Sequence, residues 1–158
     1  LGPPEFDKDE KAYAKKYQDT LSRKDIESAY SHAGIDIVEG QVLPEAVVPS
    51  DAMPVDMGGS TDVADVSWVV PTVSLWGANY AIGTPFHSWQ MTAQGKSSIA
   101  IKGMTHAAMV MAATGSDLMT NKKILVSAWQ EHNRAIKKEG YMLPISISAP
   151  PPIKDMAP

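Results

Sequence analysis

The segment from residue 97 to about residue 119 constrains the fold of this chain more than any other. Its apolar side chains recur every three or four residues, which predicts one long helix. These side chains are Ile101, Met104, Ala108, Met111 and Leu118. Alanines in the same segment favour close packing of this helix against a sheet.

Three more helices are expected from local signals. Apolar positions four residues apart predict a first helix from Asp7, with Glu10 completing a capping box at its N-terminus. A second helix should run from about Ser22 to Gly34, because glycine is the usual residue at a helix C-terminus. A third is expected over residues 122–138, before Gly140.

Strand signals are fewer and shorter than the helical ones. Residues 72–76 alternate in polarity and end at Gly77, which predicts a buried strand. A short strand is expected near Val47, in a region that prolines otherwise keep irregular. Residues 63–69 are ambiguous, because valines at every third position suit a helix while the valine and tryptophan content suits a strand. These patterns predict an α/β fold over residues 1–143, followed by a proline-rich extended tail over residues 144–158.

Composition restricts the classes of partner and chemistry. With 158 residues the chain is expected to form one domain, and its net charge of −4 without a basic run argues against nucleic acid or an anionic membrane as a partner. There are no cysteines, which excludes disulfides and thiolate metal ligands. No apolar run reaches the roughly 20 residues that a membrane span needs, and no signal peptide is visible. The chain begins at Leu1, as expected of either a processed product or a truncated chain.

Among the four histidines, His87 is the strongest functional candidate. His32, His106 and His132 fall within predicted helices, where structural roles are the default. His87 instead follows a predicted strand in a loop, and loops at strand ends often bind ligands in α/β folds. One imidazole cannot hold a metal ion, since zinc takes three or more protein ligands. Asp62 and Asp65 are conceivable as partners, but capping its own turn is the simpler role for Asp62.

Two segments together resemble a known family. The first reads Gly-Ser-Thr-Asp-Val-Ala-Asp-Val-Ser-Trp at residues 59–68, and the second reads Gly-Thr-Pro-Phe-His-Ser-Trp-Gln at residues 83–90. Both closely resemble the aminobenzoyl-glutamate hydrolase branch of the aminoacylase and glutamate-carboxypeptidase metallopeptidase family. The departures are Ala64 for a usual glycine, Phe86 for a usual leucine and Ser88 for a usual threonine. The resemblance runs from Leu1 to about Tyr141.

The resemblance implies the second half of a zinc-peptidase-like catalytic domain, with helices packed on a small mixed sheet. It also implies a cytoplasmic enzyme with two divalent metal ions, zinc or manganese, that dimerises through a smaller lid domain. His87 matches the last metal ligand, whereas Gly59, Ser60, Thr61 and Asp62 match a loop on the substrate side. The base glutamate, the other ligands and the lid precede Leu1 in such enzymes, so this chain is expected to contain no catalytic residue. The resemblance also favours a helical turn after Asp62.

The sequence therefore predicts part of a metal-dependent amidohydrolase that cleaves aminobenzoyl-glutamate or N-acyl amino acids. Its partner would be the upstream half of the same enzyme, and the chain alone should be inactive and bind no metal. The alternative is a non-catalytic fragment or subunit that binds a partner chain. An exposed apolar patch is also expected, with Trp68, Trp76 and the methionines of the long helix as contributors.

Overall fold

The described residues form helices and connecting segments. The computed structural model describes residues 1–48, 61–141, 145 and 148–150. The helices are α1 (Lys8–Gln18), α2 (Arg23–Ala33), α3 (Val63–Val69), α4 (Trp89–Gln94), α5 (Ser98–Thr120) and α6 (Lys122–Glu139). The chain divides into a first unit, Leu1–Ser60 with Ser74–Thr120, and a second unit, Thr61–Val73 with Asn121–Pro158. None of the described helices combines the length and apolarity that crossing a bilayer requires.

Local capping signals determine the ends of α1 and α2. The Asp7 side chain accepts a hydrogen bond from the Glu10 N–H at 2.8 Å, and the Glu10 side chain accepts one from the Asp7 N–H at 2.9 Å. This capping box is the one that the sequence predicts. Ser22 and Asp25 form a second capping box at the start of α2, and Gly34 ends that helix with a left-handed φ of 64°. Both helices are confirmed.

The core of the first unit is small and lies among α1, α5 and two connecting segments. Its buried apolar residues are Ala14, Val42, Leu43, Ala81 and Ile99. Ile82 N–H donates to Val42 O at 2.9 Å, which ties the two connecting segments together. The buried Gln18 side chain donates to Gln41 O at 3.0 Å and so anchors α1 to the same place. The core is thus built from helices and irregular chain.

The predicted sheet is wrong, since no strand occurs in the part of the chain that the structure describes. Residues 72–76 are irregular and exposed, with Val73 80 % and Trp76 50 % accessible. Residues 46–48, where a strand near Val47 is expected, are irregular as well, and residues 49–60 beyond them lie outside the described part of the chain. A strand needs a neighbour to pair its backbone N–H and C=O groups. Polarity alternation within one segment does not provide that neighbour.

The long helix α5 packs against irregular backbone rather than against the expected sheet. Ile99 and Gly103 are buried, and His106 and Val110 are half-buried on the same side. A Cβ atom at Gly103 would collide with the carbonyl oxygen of Ala78, so only glycine allows this close approach. The apolar stripe faces solvent, where the sequence places the methionines of this helix in an exposed patch. Its members Ile101, Met104 and Met111 are 55 %, 62 % and 66 % exposed.

The second unit pairs α3 with α6. Residues 63–69 are helical, which confirms the turn that the resemblance favours. The Trp68 and Tyr141 rings stack with centroids 5.4 Å apart, and the Tyr141 hydroxyl donates to Asp65 at 2.8 Å. His132 Nε2 lies 3.1 Å from Ser67 O. Trp68 is consequently half-buried, unlike the exposed tryptophan expected from the sequence. Most of the predicted tail, residues 144–158, lies outside the described residues.

Candidate metal-binding loop

The loop that carries His87 begins at Gly83, whose backbone packs against α2. Gly83 has a φ of 90°, and a Cβ atom there would lie 3.0 Å from the Cα atom of Ile26. Only glycine combines this left-handed conformation with so close a contact. The next residue, Thr84, donates from both its N–H and its hydroxyl to Ala81 O, at 3.1 and 2.7 Å. The start of the loop is thereby held against the body of the first unit.

A buried glutamine, Gln94, connects this loop to α4. It is only 1 % exposed, and its side-chain oxygen accepts a hydrogen bond from Ala81 N–H at 2.8 Å. Its amide nitrogen donates to Thr84 Oγ1 and to Gln90 O, both at 3.1 Å. Gln94 therefore fixes both ends of the loop relative to each other. The sequence does not predict this role, because one glutamine in a short helix carries no recognisable pattern.

His87 itself is exposed and has an unusual backbone conformation. Its φ is 58°, the only positive value among the non-glycine residues that the structure describes. The following residue, Ser88, caps α4: its hydroxyl accepts from Met91 N–H at 3.2 Å and donates to Pro85 O at 2.7 Å. These contacts on either side hold His87 in the left-handed region. The His87 ring makes no hydrogen bond to the described residues, so neither of its nitrogens is engaged by them.

Aromatic rings lie directly beside this position. Phe86 packs against Trp76 with a centroid distance of 5.6 Å, and against Tyr80 edge-on at 6.3 Å. Burial raises the pKa of Tyr80 above the ordinary value for a tyrosine. Trp76 and Phe86 remain about half exposed. The candidate loop therefore combines one accessible imidazole with a partly open aromatic surface.

Only two of the four predicted substrate-side residues can be located. Gly59 and Ser60, and with them the positive φ expected at Gly58 or Gly59, lie outside the described residues. Thr61 and Asp62 are exposed in the second unit, whereas His87 belongs to the first. Asp62 stands at the N-cap position of α3 but makes no capping hydrogen bond with its side chain. The capping role expected for that carboxylate is thus not observed at α3.

The described residues contain no group of three or more histidine or acidic side chains close enough to hold a metal ion. Asp65, the other acid near the first motif, accepts a hydrogen bond from Tyr141. The remaining histidines have polar neighbours: His32 lies near Ser28 Oγ, His106 near Gly2 O and His132 near Ser67 O. Such contacts are typical of structural histidines. His87 therefore offers one potential metal ligand, and the described residues place no complete set of ligands around it.

Comparison with known proteins agrees with the two motifs. The chain is 35 % identical over 165 aligned positions to one of the subunits of the p-aminobenzoyl-glutamate hydrolase of Escherichia coli (strain K12). The chain is homologous to part of an aminobenzoyl-glutamate hydrolase subunit. The alignment covers 98 % of this chain but 34 % of that hydrolase subunit, so the chain spans about a third of its relative's length. No protein-family model matches the chain, and no solved structure matches it.

Proposed function

We propose that this chain contributes one metal ligand and a substrate-side segment to a two-metal amidohydrolase. The enzyme would hydrolyse the amide bond of aminobenzoyl-glutamate or of related N-acyl amino acids. The homology to a p-aminobenzoyl-glutamate hydrolase subunit over nearly the whole chain carries this proposal. His87 lies within one of the two motifs that resemble that family, in a loop whose backbone is held by Gln94 and Ser88.

The residues present fit a metal site in part. An imidazole nitrogen is a common ligand for zinc and related ions, and the exposed ring of His87 offers one. A complete site needs two or more further ligands. We propose that they come from the two-thirds of the hydrolase subunit that this chain does not match. When bound, such metal ions lower the pKa of a coordinated water and polarise the scissile carbonyl.

Residues 59–62 are proposed to contact the substrate of the complete enzyme. Of these, Thr61 and Asp62 are exposed, and the Asp62 carboxylate makes no hydrogen bond to described residues. The Thr61 hydroxyl accepts a hydrogen bond from Val63 N–H at 3.3 Å, which orders the start of α3. The exposed Asp62 carboxylate, which makes no hydrogen bond to the described residues, is therefore available to contact a substrate.

Reconstitution tests the proposal. The chain should be mixed with the remaining two-thirds of a hydrolase subunit of this family, supplied with zinc or manganese and assayed for release of aminobenzoate from aminobenzoyl-glutamate. The mixture is expected to be active, while each part alone is inactive. Activity of this chain by itself would show that its own residues suffice and would overturn the proposal. A stable complex without hydrolysis would instead favour the non-catalytic, partner-binding alternative.

A further inference from the structure

The helix α3 is too short to be stable by itself. It has 7 residues, and isolated helices shorter than about 12 residues are marginal in water. Burial of its valines contributes little, since Val63, Val66 and Val69 are each at least half exposed. Contacts with other segments of the second unit must therefore hold this helix in place.

Two residues from the C-terminal part of the second unit make these contacts. They are His132 on α6 and Tyr141 beyond it, and we call them the α3 brace. The Tyr141 ring stacks on Trp68, and its hydroxyl donates to the Asp65 carboxylate at 2.8 Å. This hydrogen bond raises the pKa of Tyr141 above the ordinary value, so the hydroxyl keeps its proton and remains a donor at neutral pH. Tyr141 thus holds α3 through both its ring and its hydroxyl.

His132 binds the backbone of the same helix. Its Nε2 lies 3.1 Å from Ser67 O, and because a carbonyl oxygen can only accept, Nε2 carries the proton of this bond. Its Nδ1 is buried and has no hydrogen-bond partner among the described residues. An unpaired buried nitrogen costs stability, so packing alone would favour an apolar side chain here. The hydrogen bond to Ser67 O is therefore what the imidazole contributes.

The first turn of α3 links the brace to the proposed substrate-side segment. Ala64 N–H donates to Thr61 O at 3.0 Å, and Asp65 N–H donates to Asp62 O at 3.2 Å. Asp65 is thus bound to Tyr141 through its side chain and to Asp62 through its backbone. The Asp62 side chain makes no capping hydrogen bond of its own. Its direction consequently follows the orientation of α3.

We propose that the α3 brace positions the Asp62 carboxylate for contact with the substrate. This inference rests on the proposed function, because only the complete enzyme brings a substrate to Asp62. His132 and Tyr141 are positioning residues, since they contact α3 and act through it. Their loss should weaken substrate binding and leave the chemical step unchanged, because a contact made equally in the ground state and the transition state affects KM alone.

The first test follows amide hydrogen exchange in this chain and needs no catalysis. Tyr141→Phe removes the hydroxyl and keeps the ring that stacks on Trp68. Exchange at the Ala64 and Asp65 amides should accelerate about threefold to tenfold, the equivalent of one net hydrogen bond. Tyr30→Phe is the matched control, because it also removes a hydrogen-bonded hydroxyl but lies in the first unit. It should leave both amides unchanged.

His132 is tested with two replacements that differ in one property. Glutamine retains a side-chain N–H donor for Ser67 O, whereas leucine does not. His132→Leu should accelerate exchange at the same two amides, because so short a helix opens as a unit. His132→Gln should stay near the native rate. Equal acceleration by both replacements would remove His132 from the brace.

The second test uses the reconstituted enzyme and separates positioning from a general loss of stability. Tyr141→Phe should raise KM for aminobenzoyl-glutamate about threefold to tenfold and leave kcat unchanged, whereas Tyr30→Phe should alter neither. Asp62→Ala should raise KM by itself. In that background Tyr141→Phe should change KM by less than about twofold, because Tyr141 acts through Asp62.

Unaltered exchange in Tyr141→Phe would overturn this inference, as would a rise in KM of the same size with and without Asp62. Absence of hydrolysis from the native reconstituted enzyme would refute the proposed function instead. The exchange rates would then still decide whether Tyr141 and His132 order the start of α3.

Discussion

His87 occupies a backbone conformation that few residues other than glycine adopt. Its φ of 58° is permitted because Ser88 and Thr84 fix the loop on both sides of it. Asparagine tolerates the left-handed region better than most side chains. It is therefore the appropriate replacement for separating the imidazole's chemistry from its backbone.

We expect His87→Asn to leave stability nearly unchanged, since the ring is exposed and makes no hydrogen bond to described residues. In the reconstituted enzyme, hydrolysis should fall by more than about 100-fold, the upper range for residues that only orient a ligand. In the isolated chain the same change should barely alter zinc binding, because one imidazole binds weakly alone. A variant with native activity and full metal content would remove His87 from the site.

A second prediction at the residue scale concerns the stability cost of replacing Gly83. Gly83→Ala should destabilise the chain more than Gly40→Ala, although both glycines have positive φ, 90° and 77°. At Gly40 a Cβ atom meets nothing within 4 Å, so alanine there bears only the left-handed penalty of about 1–2 kcal/mol. Gly83→Ala adds the clash with Ile26. Urea denaturation of both variants measures the difference, and equal losses would show that the contact with α2 is unimportant.

At the scale of elements, two contrasting contacts hold α5 against other segments of the first unit. One is the close approach at Gly103. The other is the ion pair between Lys102 and the buried Glu10 of α1, at 2.7 Å. Lys102 also donates to Glu5 O at 3.1 Å, so this side chain joins the long helix both to α1 and to the N-terminal segment.

Glycine substitutions in α5 should act in opposite directions. Gly115→Ala should stabilise the chain by up to about 1 kcal/mol, because a Cβ atom there meets nothing within 4 Å and alanine is the better helix former. Gly103→Ala should destabilise it by about 1–3 kcal/mol, the usual range for overpacking. The two midpoints in urea give the comparison. Stabilisation by both changes would contradict the packing at residues 78 and 79.

The ion pair predicts a dependence on pH. Burial raises the pKa of Glu10, but hydrogen bonds from Lys102, Ser98 and the Asp7 backbone outweigh it and hold the pKa below the ordinary 4.5. A depressed pKa contributes stability that is complete above pH 4.5 and is lost as pH falls through the lower folded value. Lys102→Met should therefore destabilise the chain by about 1–3 kcal/mol at pH 7. That deficit should shrink below pH 4.5, and a deficit independent of pH would contradict this assignment.

At the scale of the whole molecule, many large apolar side chains of the described residues are exposed. On α5 they follow the stripe through Ile101, Met104 and Met111, and on α6 they include Ile124 and Trp129. Extended apolar patches are rare on monomeric proteins and mark surfaces that another chain covers. The hydrolase relative has about twice as much sequence beyond the matched part as within it, which is ample to cover them.

We therefore expect the isolated chain to self-associate with rising concentration, and to stop doing so when the remaining two-thirds of a hydrolase subunit is added. Met111→Lys should reduce self-association, since it places a charge in the stripe. Ala113→Lys, exposed on the other side of α5, is the control and should have little effect. Sedimentation velocity distinguishes the states. A chain that stays monomeric at high concentration would show that the exposed stripe does not drive association.

Part of the candidate site could be predicted from the sequence. The Gly-Thr-Pro-Phe-His-Ser-Trp-Gln motif locates His87 and the family, because motif residues are adjacent in the chain. The positive φ of His87, the contact of Gly83 with Ile26 and the anchoring by Gln94 could not be predicted. Each depends on which distant segment lies nearby, and a linear pattern does not contain that information.

The sequence by itself determined the features that depend on contacts within one or two helical turns. The capping boxes at Asp7 and Ser22, the ends at Gly34 and Gly140 and the lengths of α5 and α6 all follow from contacts three or four residues apart. Only the tertiary structure decided which face of α5 is buried and that residues 72–76 pair with no strand. Helical hydrogen bonds close within one segment, whereas strands and packed faces need a partner from elsewhere in the chain.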